Sequence, residues 1–109
     1  MMEKDVYELL TKTDLPVYPV KIPEDVNLPA ISYMVVAGSK KQNFDTSYFG
    51  EVKRFQVDVW AKSYKDVKDI SEDIFELLNE IKAQDVVMQD LYEDEVDVYR
   101  VMIDFYLKQ

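Results

Sequence analysis

The chain has 109 residues, of which 48% are apolar, a size that fits one domain over residues 1–109 and leaves no room for two independent cores. It contains no histidine and no cysteine, which excludes disulfides, thiolate nucleophiles, cysteine-based metal sites and histidine-dependent triads. Thirteen Lys and Arg against twenty-two Asp and Glu give a net charge of -9, which disfavours nucleic-acid binding because that depends on basic groups displacing phosphate counterions.

Residues 5–12 are expected to form a short helix, with Val6, Leu9 and Leu10 on one side and Glu8 and Lys12 around them. Residues 13–29 are broken by Pro16, Pro19, Pro23 and Pro29. Each proline removes a backbone donor, so the segment can be only an edge strand or irregular cover, and Val17, Tyr18, Val20 and Ile22 would supply the edge. Residues 30–37 alternate, with Ile31, Tyr33 and Val35 facing one way and Ser32, Met34 and Val36 the other. Gly38 closes that strand. Residues 39–50 then read as a long polar hairpin connection carrying three aromatics, Phe44, Tyr48 and Phe49. Hairpin loops normally run about two to five residues, so a function or a different structure is needed to justify this one. Either the rings are interface anchors on a loop that orders at assembly, or the strands extend further and the rings cover the rim of the core.

Between residues 52 and 81 two hydrophobic periods follow each other directly. Phe55, Val57, Val59 and Ala61 alternate with Arg54, Gln56 and Asp58, as in a half-buried strand. Val67, Ile70, Ile74, Leu77, Leu78 and Ile81 then recur every three or four residues among acidic ones, as in an amphipathic helix. Ser63 is placed as its N-cap, with Asp66 three residues on. A helix over 64–82 would be roughly 28 Å long, enough to lie across a small sheet with Leu77 and Leu78 buried beneath it. Residues 86–92 and 97–107 read as two more strands joined at Glu93-Asp94-Glu95, the second alternating Tyr99, Val101, Ile103, Phe105 and Leu107 with polar residues.

The expected class is therefore α+β: a mainly antiparallel four- to five-stranded sheet with one long helix (about 64–82) and a short N-terminal helix packed on one face. The other face would carry Arg54, Gln56, Asp58, Trp60, Arg100, Met102, Asp104 and Tyr106. It is either a solvated sheet surface or half of a subunit interface, whose compositional mark is aromatic, Met and Arg enrichment. Trp60, Met102 and Tyr106 join Phe44, Tyr48 and Phe49 as the candidate protein-interface residues.

Little in the chain points to catalysis. Glu72-Asp73 falls on the solvent side of the long helix and Glu93-Asp94-Glu95 at a turn, with no cleft to raise a carboxyl pKa. The acids from Asp90 to Asp97 lack the glycine and spacing of a calcium loop, and Gly38 and Gly50 stand too far apart for a phosphate loop. No catalytic residue, cofactor or metal is expected. No apolar run reaches the roughly 18 residues of a membrane span, and the first residues lack the pattern of a signal peptide, so the chain reads as cytoplasmic when made, with no membrane partner.

The runs Leu28-Pro29-Ala30-Ile31-Ser32-Tyr33-Met34-Val35 and Arg54-Phe55-Gln56-Val57-Asp58-Val59-Trp60-Ala61, followed by Ser63-Tyr64-Lys65-Asp66 opening a helix, resemble the small tail completion proteins of tailed bacteriophages. These are also described as head-to-tail joining or tail terminator proteins. The resemblance runs from the N-terminal helix and the Val17-Tyr18-Pro19 segment to the closing strand. It implies a structural, non-enzymatic virion protein that forms a homo-oligomeric ring, a hexamer, at the head-proximal end of the tail. There it would end growth of the tail tube, with tail tube and head connector proteins as partners, after assembling in the host cytoplasm. Competing readings are a small acidic adaptor or inhibitor acting through an exposed sheet edge or loop, and a carboxylate-dependent hydrolase, which would need a concave site.

Overall fold

The computed structural model describes residues 2–42 and 48–108, with side chains for 2–38 and 50–108. The elements are α1 (Met2–Thr11), β1 (Val17–Pro19), β2 (Ala30–Gln42), β3 (Tyr48–Ala61), α2 (Tyr64–Glu80), β4 (Gln84–Glu93) and β5 (Val98–Lys108). The fold is α+β with two helices on a five-stranded mixed sheet in the order β1-β2-β3-β5-β4. All neighbours are antiparallel except β1 and β2, which run parallel from Val17 beside Ile31 to Pro19 beside Tyr33. The expected edge strand thus exists, but it stops at Pro19 because Val20 turns to a φ of 67° while donating its N–H to the Tyr33 carbonyl at 2.7 Å.

α1 begins three residues earlier than the apolar spacing suggested, since Met2 joins Val6, Leu9 and Leu10 on the buried side and Glu3 and Asp5 suit the positive end of the helix dipole. In α2 the Ser63 hydroxyl accepts the Asp66 N–H at 3.1 Å, the expected cap. The helix ends at Glu80 rather than residue 82, because Ile81 caps it and Lys82 adopts a φ of 59°. Val67, Ser71, Ile74 and Leu78 are its buried side, whereas Leu77 is only partly covered at the margin. Beneath the helices lie Phe55, Val57 and Val59 of β3 and Val101, Ile103 and Phe105 of β5, all fully buried, with Phe55 and Phe105 stacked at 5.5 Å and 11°.

The twelve-residue hairpin connection read over 39–50 is corrected. β2 continues to Gln42 and β3 starts at Tyr48, pairing as far as Gln42 beside Tyr48; Tyr48, Phe49 and Val52 on the β3 side favour extension, and residues 38–42 follow as their ladder partner. Tyr48 and Phe49 therefore belong to β3, and Phe44 lies outside the described residues. A register shift between Val35 and Ala37 bulges β2 where it leaves the body of the sheet. β5 pairs with β3 only from Val52 onward, so the far end of β2 and β3 is a two-stranded arm. The molecule measures 54 × 24 × 21 Å, and its radius of gyration of 15.2 Å exceeds the roughly 13 Å of a compact chain of this length.

Candidate assembly face

The sheet surface turned away from the helices carries every second residue of β3 and β5, as strand alternation requires. Its register places Arg54 beside Tyr106, Gln56 beside Asp104, Asp58 beside Met102 and Trp60 beside Arg100. The residues are knitted into two charge networks. Arg54 donates through Nε and Nη2 to the two oxygens of Asp104 at 3.1 and 3.2 Å, a forked pair. The Asp104 pair, by hydrogen bond and charge, raises the Arg54 pKa above its ordinary value.

The second network centres on Asp58, which is 6% exposed. Its Oδ1 accepts from Arg100 Nε at 3.1 Å and its Oδ2 from Gln56 Nε2 at 2.9 Å. Arg100 also donates through Nη1 to Glu93 at 3.1 Å and lays its guanidinium 4.6 Å from the centre of the Trp60 ring. Burial alone would lower the Arg100 pKa, but hydrogen bonds and charge from Asp58 and Glu93 more than offset it. The Trp60 indole N–H reaches the Ser32 hydroxyl at 3.5 Å. Both oxygens of the buried carboxylate are thus engaged, which suits a preorganised recognition surface better than proton transfer. Among the described residues, no three acidic side chains come together to hold a metal ion.

This face is not bare. Residues 20–28 fold over the end of it that holds Ser32 and Trp60, and they leave a groove of about 470 Å³ floored by Met34, Gln56, Asp58 and Arg100. Val20 on one lip and Val96 on the other are 66% and 64% exposed. The sequence carried a sign of this cover in Ile22, Val26 and Leu28, spaced between prolines, but edge strand and cover could not be separated there.

Of the six candidate interface residues, the structure brings Trp60, Met102 and Tyr106 onto this one face, the first two half-buried and Tyr106 37% exposed. Tyr48 and Phe49 sit at the start of β3 in the arm, and Phe44 falls outside the described residues. Sequence reasoning set Glu93 in a solvent-facing turn; it is the last residue of β4 and an Arg100 partner.

No protein-family model and no curated protein matches the chain. Among solved structures, a chain from the virion of a native gene transfer agent particle has the same fold, with a TM-score of 0.70 at 14% identity. The likeness covers 94% of this chain and 90% of that one.

Proposed function

We propose that this chain is a structural subunit of a phage-like virion. It forms a ring, a hexamer, at the head-proximal end of the tail, ending growth of the tube and offering the head connector a docking surface. The observation that carries this reading is the likeness of fold, over 94% of this chain, to a chain of a virion particle. The Arg-, Trp-, Met- and Tyr-bearing face supports it, since those residue types mark the buried centres of interfaces. The net charge of -9 suits a ring through which DNA passes without adhering.

In this reading Trp60, Met102, Tyr106, Phe44, Tyr48 and Phe49 serve contacts with neighbouring subunits, the tail tube or the connector, and the subunit performs no catalysis. Light scattering and electron microscopy of the purified protein, alone and mixed with tail tubes, test it. Rings, free or capping tubes, are the expected result. A protein that stays monomeric and leaves tubes uncapped overturns the reading. Tyr106→Ser, at a position 37% exposed, should cost about 1 kcal/mol of stability and leave the subunit folded, while weakening ring formation or tube capping.

A further inference from the structure

Two edges of the sheet are open, and they carry opposite charge. Among the described residues, no strand lies against the outer edge of β4, and none against the outer edge of β2 beyond Tyr33, where β1 stops. An open edge presents alternate N–H and C=O groups ready to accept another strand, and a two-stranded arm is marginal on its own in water. Residues 34–42 of β2 include Lys40 and Lys41 and no acid, whereas residues 84–97 include Asp85, Asp90, Glu93, Asp94, Glu95 and Asp97 and no base.

Resting on the ring reading above, we infer that β4 of one copy lies antiparallel against the outer edge of β2 in the next copy, with Gln89 across from Ser39. Strand direction agrees, because β2 and β5 run one way and β3 and β4 the other. Face parity agrees as well. Gln89 is level with Met102 and Asp58, and Ser39 is level with Val52, an even number of residues from Asp58 along β3. The two sheets then join with like faces on the same side. In this register the backbone of Lys40 lies across from Met88 and one diagonal step from Asp90. Leu91 stands across from Ala37, and the pairing ends there, at the bulge of β2 between Val35 and Ala37.

β1 sets the offset. Because it occupies the edge of β2 as far as Tyr33, the incoming strand must shift by the six residues that separate Asp58 from Val52, which is roughly 20 Å at about 3.4 Å per residue. Each copy adds four strands, or roughly 19 Å of width, so the strands would tilt by about 45°, within the range at which sheets close into barrels. Two different edges meeting make a head-to-tail contact, which yields a ring when the rotation closes.

The chain has no cysteine, so a cross-linking test has no background. Assembled Ser39→Cys/Gln89→Cys protein, oxidised and run on a denaturing gel, should give a ladder ending at the full ring, while either single variant gives none. Lys40→Glu/Lys41→Glu should cut ring yield at least tenfold with an unchanged melting temperature. Rings that form without the ladder, or that tolerate the charge reversal, overturn this pairing and leave the ring reading standing. A ladder on open filaments keeps the pairing and removes the ring. An unaltered protein that never assembles removes both.

Discussion

The carboxylate of Asp58 and the guanidinium of Arg100 meet at 3.1 Å with side-chain exposures of 8% and 22%. Breaking a pair this deep leaves a charge stranded, which costs far more than losing a surface ion pair. Arg100→Ala also strips the cover from the Trp60 ring. The expected cost is about 3 kcal/mol, read as a lower midpoint in urea titration with an unchanged slope.

Leu78 is fully buried between α2 and the sheet, whereas Leu77 lies at the margin. Leu78→Ala should cost roughly 2 to 5 kcal/mol, from lost transfer energy and the cavity left behind. Leu77→Ala should cost about half as much or less. Denaturant titration of both variants checks the order, and equal costs would mean that α2 sits on the sheet at a different rotation.

Val20 combines a φ of 67° with a β-branched side chain that is 66% exposed. That conformation is costly for such a residue, on the order of 1 to 3 kcal/mol. Glycine adopts it freely but loses more entropy on folding. Val20→Gly should therefore raise stability by about 1 kcal/mol, seen as a melting temperature several degrees higher. A lower melting temperature would show that the exposed valine contributes packing.

Asp90 accepts from Lys68 at 3.0 Å and from the Tyr64 hydroxyl at 3.0 Å, and the Lys68 bond, first among the causes, holds its carboxyl below the usual 3.8. A carboxylate depressed on folding stabilises the native state above its unfolded pKa, and that contribution fades as pH falls through the lower folded value. Melting temperatures measured from about pH 5 down to about pH 2 should thus fall less steeply in Asp90→Asn than in the unaltered protein. The effect should be small, because the Asp90 side chain is 45% exposed.

Much of this fold was legible in the residues. The change of period after Ala61, the Ser63 cap and the alternation of the last strand each report a local physical requirement, and the structure meets all three. What pattern could not show was pairing: that β1 would run parallel, or that the arm would continue past Gly38. Lysines and a glycine are as compatible with a loop as with a two-stranded ribbon, so residue pattern alone does not separate the two. The assembly face was half legible. Strand period alone listed its members, but the partnership of Glu93 with Arg100 depends on which strand lies next to β5, and a single chain's spacing carries no record of that.

The protruding arm has a consequence for how the isolated subunit meets water. A folded monomer of 12.9 kDa usually leaves about 6,300 Å² accessible, yet this one leaves 7103 Å². The difference, roughly 800 Å², is close to what one partner contributes to an interface of ordinary size. In the reading proposed above, the isolated subunit already carries the surface that one neighbour would cover, so its heat capacity of association should be large and negative while its backbone changes little.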